Sequence, residues 1–548
     1  MRYDIVASDL PSCVGRHSRI CNGGNQMNRV SRRRRLGAGL SMLVAVGLLG
    51  ALAPSAGAAA QPKLDKNATL VIANTTLPIP WDPIKQPNPN PTGMYDRMAY
   101  DQILQLDQNL QPSAMLATSW KTSQDGLTTT FKLRDDVKFW DGSPLDAAAV
   151  KANLDRAKAP PSLLASLLTT MTSVAAPDAT TVEVTFSAPN YTFPILLAGD
   201  PRTSSIVNPK AFSDPTLPAN PQGSGPYKVT TSSPALVSFE RVPNHWDKKS
   251  GQVAKVDMQP ILDATARVNA LRSGQVMAIA ATVDQVPDLQ QFITKGSQFN
   301  LNELTNGVSV WAIQLNITKP NISNVLVREA MNLVIDRKAL NSVLFNGAGY
   351  DSQQLFPKAM LGHVDSLDSA AALKPNVRKA KALMAQAGLS NGFTLTMGTQ
   401  NLNITQQGIQ IIQQQLAQIG ITVEPTVTDS ATMLTNYTGG KVDSMYFPLA
   451  SSVDPTQAVA ASITAVRGFG NPPYLDQAIK DAAVMPLGPA RTKAYENIQK
   501  TLVTQPVHVI TGQQFQLVPG TKKVVGLDKS VYSRIASIMD TRNLAVTK

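Results

Sequence analysis

The stretch from residue 393 to 423 constrains the fold more than any other part of the chain. Phe393 to Met397 reads as a strand. Ile404, Gly408, Ile412, Leu416 and Ile419 then recur at helical spacing along one face, and Gly420 stops the helix. Ile421 to Val423 is the next strand. A strand that returns to its sheet through a helix must lie parallel to the first, with a right-handed crossover. The chain is therefore expected to be α/β, with a mostly parallel sheet.

Other segments carry local signals of the same kind. Leu127, Thr129, Phe131 and Leu133 alternate as one strand face, followed by an Asp135–Asp136 turn and a second strand over Val137 to Trp140. Asp146 caps a helix that runs to about Ala157, and Thr181 to Phe186 alternates again. Residues 61–92 are rich in proline and read as a loop apart from a short strand at Leu70 to Ala73. Tyr95 to Leu106 is expected to be a helix ending at a turn over Asp107 to Asn109. Prolines and glycines between residues 201 and 226 mark a boundary between lobes. Strands at Tyr227–Thr231 and Ala235–Arg241 follow, then a helix over Ala264–Gly274. Val325 to Phe345 reads as two helices, and Asn376 caps another that ends at Gly388.

The N-terminus reads as an address. Arg29 and Arg32 to Arg35 precede an apolar run from Leu36 to Ala53, and the small residues from Ser55 to Ala60 supply A-x-A endings. This is the layout of a cleaved secretory signal, with processing expected near Ala58–Ala60. Residues 1–26 resemble neither a signal nor a domain, and Met27 is a natural start. Cys13 and Cys21 both precede the signal, so the exported part has no cysteine for a disulfide, a thiolate or a lipid anchor at the cleavage site.

Half of the net charge of +12 belongs to this leader, since residues 1–60 hold eight Arg against two Asp. The remaining excess is spread thinly and forms no dense basic run. Phosphate backbones select clustered cations, so no nucleic-acid partner is expected.

The exported part also lacks a catalytic signature. His245, His363 and His508 have no metal-ligand spacing, and there is no G-x-S-x-G elbow. Gly223-Ser224-Gly225-Pro226 is a turn without the lysine of a phosphate loop. No enzyme activity, cofactor or metal is expected. A secreted hydrolase using scattered carboxylates and a solute sensor without transport remain the competing readings.

One set of blocks carries a resemblance across the exported chain. It comprises Tyr100-Asp101-Gln102-Ile103-Leu104, Leu116-Ala117-Thr118-Ser119-Trp120, Phe139-Trp140-Asp141-Gly142 and Gly223-Ser224-Gly225-Pro226-Tyr227. It continues with Val327-Arg328-Glu329-Ala330, Ile335-Asp336-Arg337 and Leu416-Ala417-Gln418-Ile419-Gly420. Together these resemble the family-5 extracellular solute-binding proteins, the dipeptide-, oligopeptide- and nickel-binding components of ABC importers. The resemblance implies a type II periplasmic-binding-protein fold, with two main lobes closing on a hinge and an extra inserted lobe. It places lobe I in 61–105, 223–310 and 508–548, lobe II in 106–222 and lobe III in 311–507, after the extension and signal in 1–60. Trp311 to Asn316 and Val507 to Gln514 are the hinge candidates. It further implies a monomer that binds a peptide or small organic solute by cleft closure and delivers it to permease subunits.

Two departures bear on the ligand. Peptide-binding members of the resembling family place an acid three residues before an acidic-Pro pair. Here the pair is Asp454-Pro455 and the earlier residue is Ser451. The arginine expected after the Phe393–Met397 strand is replaced by Gly398-Thr399-Gln400-Asn401. A buried charge without a partner costs roughly 3–5 kcal/mol, so a free zwitterionic dipeptide is a poor fit. The expected ligand contacts are Trp81, Asp82, Trp311, Gln400, Asn401, Tyr446, Phe447 and Ser451, a set of aromatic faces, amides and hydroxyls suited to a neutral or weakly charged solute.

Overall fold

The computed structural model describes residues 63–77, 80–87, 89–449, 452–464, 472–530 and 539–548. The expected signal and its cleavage site, both cysteines and Ser451 lie outside the described residues. Pro62–Lys548 packs as one compact unit.

The parallel unit forms as its pattern dictates. Phe393–Gln400 and Ile421–Thr428 pair in parallel over eight residues, joined by the helix Asn403–Ala417. Gly420 takes the left-handed conformation that ends the helix. These strands are one edge of an eleven-stranded sheet among the described residues. Its order runs from Ile421–Thr428 through Phe393–Gln400, Ser444–Pro448, Phe299–Leu315, His508–Thr521, Ala278–Ile279, Thr69–Asn74, Lys255–Pro260 and Val237–Arg241 to Tyr227–Ser232, with Gly349–Tyr350 beside His508–Thr521.

Two long antiparallel strands link the halves of this sheet. Phe299–Leu315 and His508–Thr521 pair from Phe299↔Thr521 to Gln314↔His508, so both hinge candidates lie on adjacent strands. The register breaks between Leu304 and Val308, opposite Gln516 and Phe515. Bulges of this kind bend a strand pair and increase its twist.

A separate antiparallel sheet of four strands orders Ala117–Thr122, Thr128–Leu133, Thr181–Phe186 and Met171–Asp178. The helix Ala147–Lys158 covers it, with Asp146 accepting the Ala149 N–H as its N-cap. Val150, Leu154 and Ala157 are its buried face.

Three local expectations need correction. Pro89–Ala99 is helical, because prolines in a first turn remove only N–H groups that have no partner there anyway. The expected helix end, Leu104–Leu106, is instead a strand that turns back onto Pro112–Ala114. Val137–Trp140 is not a ladder strand. Its backbone makes a single bridge, Lys138 to Pro144, and Trp140 is held by its N–H on Gly223 O and its indole N–H on Gly225 O.

That last contact explains the Gly-Ser-Gly-Pro-Tyr turn. A Cβ on Gly223 would sit 2.0 Å from Ala99 O, and one on Gly225 would sit 2.4 Å from Met98 O. The turn packs directly on the helix end, and only glycine fits. Between the two glycines, Ser224 Oγ donates to buried Asp101 at 2.9 Å.

Candidate ligand-binding cleft

The strand directions locate the cleft. Thr69–Asn74, Lys255–Pro260 and Ala278–Ile279 run parallel to one another, and Ala278–Ile279 is antiparallel to His508–Thr521. They therefore point along the linking strands toward the other half of the sheet. Ser444–Pro448 is antiparallel to Phe299–Leu315, and Phe393–Gln400 and Ile421–Thr428 follow Ser444–Pro448, so these three point back. The carboxyl ends of two parallel sets thus face each other across the linking strands. Crevices outside the carboxyl ends of such strands are where open α/β sheets bind ligands.

The first set ends at Asn74 and the loop that follows. Asn74 Nδ2 donates to the Tyr95 hydroxyl at 2.6 Å, and that hydroxyl donates to Thr76 O at 3.1 Å, fixing the loop from below. Burial pushes the Tyr95 hydroxyl up to about 12, so it stays a neutral donor. The second set ends at Gln400 and Pro448. Gln400 is half-buried and Asn401 exposed, with Asn401 N–H held on Thr428 O and its Oδ1 accepting from Gln406. Phe447 is half-buried and rests on the small cluster of Met433, Tyr437, Val442 and Met445.

Four of the expected contacts make packing contacts within the protein. Trp81 is 2% exposed, set edge-on to Tyr95 and Phe239, and its indole N–H donates to Ser232 Oγ at 3.2 Å. Asp82 is buried and accepts both terminal nitrogens of Arg156, at 2.8 and 2.7 Å. Trp311 lies between Phe345 and Tyr446 and donates to Gln514 Oε1 at 3.0 Å. Tyr446 is fully buried, and a Cβ on Gly408 would fall 2.4 Å from its ring. That glycine makes room for the ring in the neighbouring helix. The cause in each case is a tertiary neighbour far away in sequence, whereas Gln400, Asn401 and Phe447 keep exposed surface.

The sequence reading missed other groups in this region. Gln516 is fully buried, and neither its amide oxygen nor its nitrogen has a partner. It sits at the register break between the lobes. Val453 reaches the other way, packing against the core that includes Phe193 and Leu197, with its Cγ2 at 2.9 Å from where a Cβ on Gly199 would be. A glutamine in a strand and a valine in a loop carry no signal that distinguishes them from surface and filler residues.

The acid of the Asp454-Pro455 pair is occupied. Asp454 is 3% exposed, caps the helix Pro455–Val459 and pairs with the buried Arg491 at 3.2 Å.

An arrangement elsewhere resembles a catalytic triad, and its geometry argues against that role. His245 Nε2 lies 3.4 Å from Asp101 Oδ2, and Ser250 Oγ lies 3.2 Å from His245 Nδ1. However, the Asp247 N–H also points at Nδ1, at 3.2 Å, and Ser250 Oγ donates to Asp247 O at 2.9 Å. The imidazole closes a turn. Burial pushes the Asp101 carboxyl up, but the Arg542 guanidinium and the His245 and Trp246 hydrogen bonds outweigh it and hold it well below the usual range.

Fold and cleft together define a binding protein that closes two lobes over a solute. A family model described as "Bacterial extracellular solute-binding proteins, family 5 Middle" matches residues 111–471, and the chain belongs to that family. It is an extracytoplasmic solute-binding protein of the ABC-importer class. The glutathione-binding protein GsiB of Escherichia coli O6:K15:H31 is 32% identical over 404 residues, 71% of this chain and 74% of that one. HbpA2 from Haemophilus parasuis superposes with a TM-score of 0.75 at 24% identity, covering 88% of this chain and all of the other. The periplasmic DppA from Helicobacter pylori, solved with the peptide STSA, gives 0.70 at 22% identity, covering 88% and 98%. These structures share the type II fold expected from the sequence. The family works with ABC permeases and binds small ligands or peptides.

Proposed function

We propose that the solute is peptide-like and is held by amide, hydroxyl and aromatic groups instead of a fixed ion pair at its amino end. The observation that carries this is the buried Asp454–Arg491 pair, which leaves the Asp-Pro acid unavailable to a ligand ammonium. Gln400, Asn401, Phe447 and Gln516 are the proposed contacts near the facing strand ends, together with Ser451. The glutathione-binding relative and the peptide-bound DppA support a solute with peptide bonds. On this reading the protein acts as a monomer, without metal or cofactor, after cleavage near Ala58–Ala60. The lobe boundaries given above are part of the proposal.

Mass spectrometry of solute released from the denatured native protein identifies the ligand class. Calorimetry then compares glutathione, N-acetylated peptides and free dipeptides. N-acetylated peptides should bind at least tenfold more tightly than free dipeptides. Tight binding of an unmodified dipeptide, lost when its amino group is acetylated, would refute the neutral grip.

A further inference from the structure

The sequence after the leader spreads its lysines thinly, but the fold gathers several on one face. Thr69–Asn74 and Lys255–Pro260 begin side by side, in register from Thr69↔Lys255. Their starting ends lie a strand length, roughly 17–20 Å, from the carboxyl ends that border the cleft. At this starting end is a groove of about 660 Å³, whose lining includes Lys66, Arg241, Lys248 and Lys255 against Glu240 and Asp247. Arg241 is fixed there by a 2.9 Å bond to Lys66 O.

The segments around Lys63 and Lys548 extend the same face. Lys548 N–H donates to Lys63 O at 3.0 Å, and Thr547 N–H donates to Lys523 O at 2.9 Å. Leu64 bridges Thr547. Lys63, Lys66, Lys248, Lys523 and Lys548 are all exposed. Lys249 and Lys522 adjoin them in sequence and are also exposed. The acids on this face, Asp65, Glu240, Asp247 and the terminal carboxylate, are fewer. Lys255 is already paired with Asp257.

The chain leaves this face at Lys63, ten residues beyond the apolar run that ends at Ala53. We propose that the basic face at the strand-starting end of lobe I is a docking surface for the anionic headgroups of a phospholipid bilayer. Docking there holds the cleft about a strand length from the lipid. Each lysine brought to an anionic surface adds about fivefold to the affinity, and the attraction decays within a Debye length.

The test uses the compact unit Pro62–Lys548, which lacks the apolar run. It is sedimented with vesicles of phosphatidylcholine alone and of phosphatidylcholine mixed with phosphatidylglycerol. Binding is expected only to the mixed vesicles, and molar salt should release it. The triple variant Lys66→Glu, Lys248→Glu, Lys523→Glu should bind on the order of a hundredfold more weakly. If that variant fails to fold, Lys249→Gln with Lys522→Gln should still weaken binding severalfold. Equal binding to both vesicle types, or no loss in the variants, overturns the proposal. So does binding to duplex DNA that matches binding to the mixed vesicles, because the face would then read charge density and not lipid.

Discussion

Arg156 sets both terminal nitrogens of its guanidinium on the Asp82 carboxylate, at 2.8 and 2.7 Å, and so ties the helix that covers the four-stranded sheet to the loop after Asn74. Its ring neighbour Phe212 lies 4.6 Å from the guanidinium on the far side. The pair clamps the helix Ala147–Lys158 to the loop that carries Trp81 and Asp82.

Arg156→Ala should therefore leave the 1%-exposed Asp82 without its bidentate partner. Breaking a buried pair costs about 3–5 kcal/mol, and thermal unfolding should show a clear loss of Tm. The double variant Asp82→Asn, Arg156→Gln should lose less than Arg156→Ala alone. A Tm unchanged in Arg156→Ala would mean that the helix and the loop are held by other contacts.

Asp96 predicts a pH dependence. Burial pushes its carboxyl up to about 8, only partly countered by the Gln86 hydrogen bond. The folded state therefore keeps a proton that the unfolded chain loses near pH 4. Its contribution to stability is complete below pH 4 and is lost as pH rises toward 8, at about 1.4 kcal/mol per unit within that window. Asp96→Asn should remove this slope and raise the Tm at pH 8 relative to the native chain. Melting curves from pH 5 to 8 with equal slopes for both proteins would contradict the assignment.

Gly199 and Val453 predict how closure can be blocked. A side chain at Gly199 meets Val453 within 2.9 Å, and the two residues lie more than 250 positions apart in the chain. Gly199→Leu should favour the open form and increase the radius of gyration measured by small-angle scattering. Adding Val453→Ala should reverse the increase. If scattering is the same for all three proteins, that contact does not limit closure.

Gln516→Leu separates a binding role from a structural one. A buried amide with neither end paired costs stability. Its replacement by leucine should leave Tm unchanged or raise it. If the amide serves the solute, affinity for the solute recovered from the native protein should fall at least tenfold at the same time. Unchanged affinity would make Gln516 a cost of the fold alone.

The sequence was most readable where one rule acted locally. Asp146 and Asn376 cap the helices they were expected to cap, Thr181–Phe186 is a strand over those very residues, and the unit from Phe393 to Val423 is parallel. It was least readable in His508–Thr521, because Thr511, Gln513, Gln514 and Gln516 are polar yet buried. Their environment comes from segments more than 150 residues away in the chain, so no alternation marks them. The candidate site is hard to read for a related reason. Trp81, Trp311 and Tyr446 have the chemistry of ligand contacts, but aromatic rings satisfy core and cleft equally well, and only the tertiary neighbours decide between them.

The long ladder between Phe299–Leu315 and His508–Thr521, bulged at Leu304–Val308, has a mechanical consequence. The lobes are joined by a ribbon and not by loose tethers, so their relative motion is a twist of that ribbon with its backbone bonds intact. A twisted ribbon stores elastic energy, and its rest angle fixes how far apart the lobes stand before any solute arrives. Substitutions near the break at Leu304–Val308 can then reset binding strength through that angle, with every residue that touches the solute unchanged.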